Sequence, residues 1–548
     1  MTEIITVLTA VFLVSSLLIF VLDRFSHPAL PAYIVSGILL GSYLPKDQFL
    51  NLSQLGIAFL VFVFGLKADI GRIRSVAEES ISATLIQVVL AGTTMYIIGK
   101  GLGFNSLNSL YLAAAGALSS SLVGLELIES EVRIELLHGR LAEAIQLMQD
   151  FIAIAFIAVI SSGFTYQGLG RSLLALFLLI GAGVAFRQAV FSRISLITDG
   201  SEELLMIISL ALLTGFVAAS QLLDVSIVVG SFAAGLAVAR FPENMEILDS
   251  MGSLKDFFSA IFFVSLGALI ATPSETALLL TLVLLTGTLI IKPVITSIAL
   301  LIAGYDRRSS YLAGMSLDQI SEFALIIAIQ GYISGAVHVD VFHAIVLAAT
   351  ASMIVSSYTS RYEEEIYALV SGAGFVEVNG RKINERTRIP DNLNDHVIVV
   401  GYDTQGKELS EALEEENQDF VIIENDPEKI EEALGKEEHY VFGDVMDQRT
   451  WDTARVKEAE LIISTIPSWT VSREILGLET EADIILRSSE IREASRLLDQ
   501  GAFYVNVPDI LSSEELVDHV NGVLDSINYR EELRRRNLLE VRRYLQNR

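Results

Sequence analysis

One carboxylate lies in the middle of a largely apolar segment that is long enough to cross a bilayer. Gln149 and Asp150 interrupt LAEAIQLMQDFIAIAFIAVISS, in which most side chains are apolar. An ionisable side chain at membrane depth costs on the order of 3 kcal/mol or more, so by default such a residue belongs to an ion or proton pathway. The pair therefore predicts an intramembrane site for a proton or a cation.

Two further apolar segments carry polar clusters that a plain membrane helix would not contain. AAAGALSSSLVGLELI and AGMSLDQISEFALII contribute Ser119, Ser120, Ser121, Asp318 and Glu322. Unwound backbone at membrane depth is tolerated only where it is buried in protein or lines a cavity, and its carbonyl groups can then coordinate a cation. We expect both segments to be broken helices, and we expect Asp150 to point at their crossing.

Each cluster also has an interpretation without transport. The serines could pack neighbouring helices and bond back to their own backbone. Asp318 and Glu322 could lie near a helix end and reach water. Glu322 is followed by FALIIAI and therefore lies deeper, which favours a buried structural or coupling role for it.

Lys292 is a second charge inside an apolar segment, TLVLLTGTLIIKPVITSIALLIAG, and Pro293 predicts a local kink next to it. A lysine at that depth needs a partner or a shifted pKa. One hypothesis is an ion pair between Lys292 and Asp150 that breaks when a cation binds. The alternative is a lysine whose stem lies along the helix while its ammonium reaches the membrane interface.

The composition predicts a polytopic membrane protein with a soluble C-terminal part. The chain has 548 residues, 52% of them hydrophobic, and its apolar runs end near Ser360. The net charge of -28 argues against nucleic-acid binding, and the lack of cysteine excludes disulfides and thiolate metal sites within this chain. We count about thirteen spans, which start near residues 4, 29, 51, 80, 108, 141, 167, 202, 224, 254, 275, 309 and 337.

The basic residues of the loops predict the orientation, because Lys and Arg collect on the cytoplasmic side. With the N-terminus outside, the outer loops would hold only Lys46, Lys100 and Arg171, and the inner loops all the others. An odd number of spans then places the C-terminal region in the cytoplasm. We expect a multi-pass protein of the cell membrane with a cytosolic C-terminal domain.

An internal repeat links spans 2 to 5 with spans 9 to 12. AYIVSGILLG (Ala32–Gly41) resembles GSFAAGLAVA (Gly230–Ala239), and AFLVFVFGL (Ala58–Leu66) resembles AIFFVSLGAL (Ala260–Leu269). An offset of seven spans inverts the second copy in the membrane. Inverted repeats with broken helices near the midplane are typical of secondary transporters.

After a linker at residues 361–394, DHVIVVGYDTQGKELSEAL and DFVIIENDPEKIEEAL each predict a strand followed by a helix. A dinucleotide-binding unit of this kind has G-x-G-x-x-G at its first turn and an acid that holds a ribose after its second strand. Here Asp403 replaces the central glycine between Gly401 and Gly406, and its carboxylate would repel a pyrophosphate. The acids that follow the second and third strands are Glu424, Asp426 and Asp444.

The membrane part resembles a known transporter family. GRLAEAIQLMQD, GALSSSLVGLELI, LGIAFLVFVFGLKADI, FFSAIFFVSLGALI and SLDQISEFALIIA are similar to segments of the monovalent cation:proton antiporter-2 family, specifically its Kef-type potassium/proton branch. The resemblance runs through nearly all of residues 1–360 and implies the Nha-type antiporter fold with inverted repeats. Two departures are Ser121, where threonine is commoner, and Ile320-Ser321, where the family usually has Gly-Gly before Glu322.

The resemblance also implies roles for individual residues. Asp150 would bind either a dehydrated cation or a proton, Gln149 would orient it, and the serines would line the site. Lys292 matches the family's basic residue in the same span. No metal is implied beyond the transported monovalent cation.

The C-terminal part resembles an RCK-type (TrkA N-terminal) regulatory domain from about His396 to Ser513, and Arg487 lies at a strand end typical of it. This resemblance implies a Rossmann-like α/β domain that dimerises and binds a regulatory nucleotide. Because of Asp403, we expect AMP or a similar adenosine-like ligand rather than NAD, or an empty site. We do not expect enzymatic activity, since no substrate domain follows.

The sequence therefore predicts four regions: an exchanger domain at 1–360, a linker at 361–394, an RCK domain at 395–520 and a basic helix at 521–548. We expect a homodimeric, electroneutral K+/H+ antiporter of the lipid bilayer, in which one aspartate holds the cation and the proton in turn. An Na+/H+ antiporter of the same fold and an RCK-gated cation channel are the alternatives.

Overall fold

Helices form the N-terminal part of the chain and a parallel sheet forms the C-terminal part in the computed structural model. It describes residues 2–24, 28–41, 43, 46–67, 77–121, 137–161, 166–191, 202–239, 243–363, 366–367, 369, 389, 393–426, 429, 439–446 and 448–525. The chain divides into two compact units, Met1–Glu377 and Val378–Arg548, and the division falls inside the segment predicted as a linker. Most of that linker, and residues 526–548 of the predicted basic helix, lie outside the described residues.

The described helices of the first unit are α1 Thr2–Asp23, α2 Ala29–Leu40, α3 Lys46–Lys67, α4 Ala77–Gly101, α5 Ser106–Ala117, α6 Leu137–Ser161, α7 Tyr166–Phe186, α8 Glu202–Leu222, α9 Ile227–Val238, α10 Glu243–Ala268, α11 Glu275–Thr286, α12 Lys292–Ala303, α13 Arg307–Met315, α14 Glu322–Ile333 and α15 Val339–Thr359. A π-helical turn, Arg187–Phe191, follows α7, and another, Gly287–Ile291, joins α11 to α12.

The helices follow the predicted pattern of spans closely. Every predicted start but one lies within about five residues of a helix N-terminus. The exception is the start near residue 254, which lies inside α10 because the polar stretch from Glu243 is already helical. By length and composition, seven helices of the described part could cross a membrane, and α2, α9 and α14 are apolar but have 12 residues each.

Glycines bring the backbones of two helix pairs into direct contact. A Cβ atom on Gly37 of α2 would lie 2.0 Å from the carbonyl oxygen of Val264 in α10. A Cβ atom on Gly235 of α9 would lie 2.2 Å from the carbonyl oxygen of Phe62 in α3. No side chain fits between these backbones, so glycine is required at both places.

The two contacts are equivalent under the predicted repeat. The repeat aligns Gly37 with Gly235 and Phe62 with Val264. In each contact, the glycine of one copy therefore touches the equivalent carbonyl position of the other copy. Such reciprocal contacts are what a two-fold relation between two segments produces. The geometry thus supports an internal duplication of the membrane part.

Both segments predicted to be broken leave the helical conformation. α5 ends at Ala117, and residues 118–120 are not helical. α13 ends at Met315 and α14 begins at Glu322, with the hydroxyl of Ser321 accepting a hydrogen bond from the backbone of Phe323. The second break therefore forms without Gly-Gly. Residues 122–136, which continue the first segment, lie outside the described residues.

The second unit contains a parallel sheet in the order β3-β2-β1-β4-β5-β6. Its strands are β1 His396–Val400, β2 Phe420–Glu424, β3 Tyr440–Phe442, β4 Ala459–Ser464, β5 Asp483–Arg487 and β6 Tyr504–Asn506. The described helices of this unit are α16 Thr404–Glu415, α17 Gln448–Thr453, α18 Trp469–Leu476, α19 Ile491–Asp499 and α20 Pro508–Asp525. This is the doubly wound order, whose ligand crevice opens where the order reverses between β1 and β4.

Candidate ion-binding site

The two broken segments are bonded directly to each other. The backbone N–H of Ser321 donates to the carbonyl of Leu118 (3.2 Å), and the hydroxyl of Ser119 donates to the carbonyl of Leu317 (3.0 Å). Ser119 and Ser120 are completely buried. The crossing that the sequence predicts is therefore present, and the serines belong to it rather than to an ordinary helix contact.

Lys292 binds both breaks at once. Its Nζ donates to the carbonyl of Leu118 at 3.2 Å and to the carbonyl of Gln319 at 2.7 Å, and the side chain is completely buried. Leu118 caps the C-terminus of α5, where unpaired carbonyls carry partial negative charge and attract a cation. The ammonium thus joins the two chain interruptions.

The predicted partner of Lys292 was wrong. Among the described residues no ion pair forms between Lys292 and Asp150, and the acid whose charge acts on Lys292 is Asp318. The alternative, in which the lysine reaches the interface, is excluded by its burial. The breaks leave backbone carbonyls without helical donors, and these carbonyls accept hydrogen bonds from the ammonium instead.

Asp150 faces the first break through Ser121. The Ser121 hydroxyl lies close to Asp150 and donates to Oε1 of Glu322 at 2.8 Å, so it lies between two carboxylates. Asp150 is 7% exposed, and its Oδ1 has no hydrogen-bond partner within the described part of the chain. A buried acceptor with an unused lone pair is a place where a proton or a cation can bind.

Glu322 and Asp318 are both completely buried, so the interpretation that they reach water was wrong. Glu322 is the first residue of α14 and lies beside Asp150 as a second carboxylate. Asp318 accepts hydrogen bonds from the hydroxyls of Ser356 and Thr359 on α15. One acid thus belongs to the candidate ion site, and the other anchors the second break to α15.

Gln149 does not bond to Asp150, contrary to the role that the resemblance implied. Its Oε1 accepts from the backbone N–H of Ser119 at 2.7 Å, and its Nε2 donates to Oε1 of Gln87 at 2.7 Å. The amide therefore holds the first break. Gln87 was missed, although a lone amide in the apolar run ISATLIQVVLAG was a signal for it.

Two more glutamines converge on the same break: Gln146, which the sequence reasoning missed, and Gln319, which belongs to the polar cluster predicted to break the second segment. Nε2 of Gln146 donates to the carbonyl of Ser120 at 3.1 Å, and Nε2 of Gln319 donates to it at 3.3 Å. Gln146 lies one helical turn before Asp150, on the same face of α6, and that spacing was the available signal. Amides thus surround a stretch of backbone that has left the helix.

The first turn of the C-terminal domain has the backbone of a Rossmann turn. Gly401 has φ +95, and a Cβ atom on Gly406 would lie 2.1 Å from the carbonyl oxygen of Gly401. Asp403 caps α16, because its Oδ1 accepts from the backbone N–H of Gly406 at 2.9 Å. Arg487 lies 3.5 Å from the other oxygen of Asp403.

Glu424 also forms hydrogen bonds with the backbone of this turn. Its carboxylate is 6% exposed and accepts hydrogen bonds from the backbone N–H groups of Tyr402, Asn425 and Asp426. Lys429 lies 3.4 Å from it. Two N–H groups of the turn, those of Tyr402 and Gly406, are therefore bonded to carboxylates, which disfavours a pyrophosphate at this place. Asp426 and Asp444 are also buried at this edge of the sheet.

Models of two protein families match the chain. The model described as sodium/hydrogen exchanger, transmembrane, matches residues 9–361. The chain belongs to the sodium/hydrogen exchanger family. The model of the TrkA-N domain matches residues 397–508 of this exchanger. The pair of domains confirms the resemblance to the Kef-type branch with an RCK domain.

Relatives of the exchanger align with it over most of its length. YbaL of Escherichia coli K12 is 24% identical over 529 residues, which cover 91% of this chain and 94% of that protein. The glutathione-regulated potassium-efflux system protein KefC of Salmonella schwarzengrund is 23% identical over 492 residues, covering 86% and 77%. Among solved structures, the sodium proton antiporter MjNhaP1 from Methanocaldococcus jannaschii is 14% identical with a TM-score of 0.49, covering 68% of this chain and 98% of that one.

Proposed function

We propose that this exchanger moves K+ and H+ in opposite directions, one for one, and that both compete for Asp150. The observation that carries the proposal is the Oδ1 atom of Asp150, a buried acceptor without a hydrogen-bond partner among the described residues. It lies beside a helix break whose hydroxyl and backbone oxygens can replace the hydration shell of a dehydrated cation. The single site thus accepts either ligand but not both.

The exchange follows from the charge of one carboxylate. Ionised Asp150 attracts a cation, with Ser119–Ser121 supplying further oxygen atoms. When a proton binds Asp150, the negative charge disappears and the cation is released. Each direction of the cycle therefore carries one positive charge, and the complete cycle is electroneutral.

One-for-one exchange requires each neighbouring charged group to keep the same protonation state throughout the cycle. Lys292 is held by two carbonyls, and Oε1 of Glu322 accepts from Ser121. Donation to carbonyls favours the charged ammonium, and accepting from a hydroxyl favours the ionised carboxylate, so we assign the exchanged proton to Asp150. The two neighbours set the electrostatic environment, and Asp150 carries the exchange.

We choose K+ over Na+ because the sequence resembles the Kef-type branch and because KefC, a relative, is named a potassium-efflux protein. A cation channel regulated by an RCK domain is disfavoured, since the sequence has no TVGYG-like selectivity filter. Opposed ion and proton fluxes distinguish an exchanger from such a channel.

We further infer the arrangement in the cell. The N-terminus lies outside the cell membrane, the RCK domain is cytosolic, and the site is exposed to either side by an elevator-like movement. Ile491, Leu498 and Phe503 are exposed apolar side chains near the edge strand β6, and they support a homodimer. An adenosine-like or mononucleotide ligand regulates exchange. If it has a phosphate, that phosphate does not bind at the N-terminus of α16.

The test is proton flux in proteoliposomes that contain a pH-sensitive dye, measured against outward K+ or Na+ gradients. We expect K+-driven proton uptake in the wild type and its loss, by at least about a hundred-fold, in Asp150→Asn, because a neutral amide cannot exchange a proton for a cation. Clamping the membrane potential should leave the wild-type rate unchanged.

Asp224→Asn is the matched control, because Asp224 is an exposed carboxylate in the same domain that pairs with Arg171. It should exchange as the wild type does. Normal exchange in Asp150→Asn would refute the central assignment. Flux driven by Na+ alone would refute the choice of K+ and leave the exchange mechanism standing.

A further inference from the structure

Two buried glutamines from different helices connect the carbonyl of Ala117, where α5 ends, to the N–H of Ser119 inside the first helix break. The backbone N–H of Ser119 donates to Gln149 Oε1 (2.7 Å), Gln149 Nε2 donates to Gln87 Oε1 (2.7 Å), and Gln87 Nε2 donates to the carbonyl of Ala117 (2.9 Å). Gln87 is 0% exposed and Gln149 is 1% exposed. We call this chain of three bonds the amide relay.

The amide relay replaces hydrogen bonds that the break removes. In a continuous helix the carbonyl of Ala117 would accept from the N–H four residues later, in Ser121. Because α5 ends at Ala117, this carbonyl loses that helical donor and needs another. The relay supplies this donor through Gln87, and through Gln149 it accepts the hydrogen bond of the Ser119 N–H.

The direction of the relay is fixed by its two ends. A backbone N–H can only donate and a carbonyl can only accept, so each side chain between them must accept at one end and donate at the other. Primary amides do this, whereas a carboxylate has no proton to donate. A glutamate at position 149 would accept from Ser119 but would face the oxygen of Gln87 without a proton between them.

We propose that Gln87 is a positioning residue for the ion site, and that it is the reason for an amide at position 149. Gln149 is the chain neighbour of Asp150, so the relay fixes the first break relative to the carboxylate that holds the ion. Gln87 does not touch the ion itself. This inference rests on the proposed exchange function and adds to it a residue on α4.

The first experiment is a kinetic comparison of Gln87→Met, Gln87→Glu and wild type in proteoliposomes. Methionine has a similar size and makes neither bond, and glutamate can accept from Gln149 but cannot donate to Ala117. We expect the cation KM to rise about ten-fold in both variants, the size of effect typical for groups that orient ion ligands, while turnover changes less. Thr94→Val is the control on the same helix, since its hydroxyl bonds only to its own helix at Leu90.

The second experiment is a double-mutant cycle of Gln87→Met and Gln149→Met. Either substitution breaks the relay, so we expect the double variant to raise KM little more than one single variant does. Additive effects, or an unchanged KM in Gln87→Met, would overturn the proposal. The same cycle is measured by unfolding temperature in detergent.

The two readouts separate the relay from the function on which it rests. Wild-type protein that exchanges no cation would refute the proposed function. The relay would then still be judged by whether the unfolding temperatures of the two single variants combine additively. Non-additive temperatures would support the relay, and additive temperatures would refute it.

Discussion

At the scale of single residues, the sequence predicts the kind of site but not the hydrogen-bond partners of its side chains. Asp150 and the serines stand out because polar groups at membrane depth are costly, and the structure brings them together. The partners of Lys292 and Gln149 were assigned wrongly. The sequence marks charged partners, whereas the actual partners are backbone carbonyls and amides that become available only when the helices break.

Lys292 is therefore expected to act as a structural cation. Lys292→Met would leave the carbonyls of Leu118 and Gln319 without their donor, and hydrogen bonds to a charged group contribute about 1.5–3 kcal/mol each. We expect a clear fall of the unfolding temperature in detergent, and any remaining exchange should stay electroneutral.

Lys255→Met is the control for this substitution, because Lys255 pairs with its neighbour Asp256 at 3.2 Å and lies outside the site. It should unfold at the wild-type temperature. If Lys292→Met unfolded like the wild type, or if its exchange became sensitive to membrane potential, the structural role would be refuted.

At the scale of elements, the sequence predicts helix positions and breaks well, because apolar runs and polar clusters are local signals. The break before Glu322 forms although Ile320 and Ser321 stand where glycines are usual, since capping by Ser321 suffices. The polar N-terminal half of α10 was missed because it has no apolar run. The repeat gave the equivalence of Gly37 and Gly235, but which backbone each one touches depends on residues far away in the chain.

The close contact of α9 with α3 makes Gly235 sensitive to the smallest substitution. In Gly235→Ala the new Cβ would lie 2.2 Å from the carbonyl oxygen of Phe62, which is backbone and cannot turn away. We expect a loss of about 1–3 kcal/mol or more in the free energy of unfolding, as for other overpacked interiors. Thermal unfolding in detergent measures it.

Gly215→Ala on α8 provides the comparison, since a Cβ atom there would meet nothing within 4 Å. Alanine is a better helix former than glycine, so this variant should be neutral or slightly more stable. Equal unfolding temperatures for the two variants would show that the backbones of α3 and α9 are not in contact.

At the scale of the whole molecule, the chain combines an exchanger with a Rossmann-like domain whose first turn is occupied by its own acids. The sequence predicted the fold of both parts, and obstruction of the turn by Asp403 stays a prediction. The sequence could not show that Glu424 also binds the turn, because that carboxylate folds back onto the N–H of Tyr402.

Replacing Asp403 tests the consequence in the full-length protein. Asp403→Gly completes the pattern G-x-G-x-x-G from Gly401 to Gly406 and frees the N-terminus of α16. We expect NAD to raise the unfolding temperature of this variant and to leave the wild type unchanged, whereas adenosine or AMP stabilises the wild type. Asp395→Gly is the control, since Asp395 has φ +52 and tolerates glycine.

A wild-type protein stabilised by NAD would contradict the obstruction. If adenosine, AMP and NAD each left the unfolding temperature of the wild type unchanged, the proposed regulatory ligand would be contradicted instead. The two results are distinct because the first concerns the turn and the second the whole crevice.

The paired glycine contacts of α2 with α10 and of α3 with α9 also restrict how the exchanger can move. Helices that touch through interleaved side chains can shear past each other by small rotamer changes. Backbones in direct contact have no such layer, so sliding would drive carbonyl oxygens into Cα atoms. We therefore expect each of these two helix pairs to move as a unit, and we expect any sliding surface to lie where side chains, not backbones, meet.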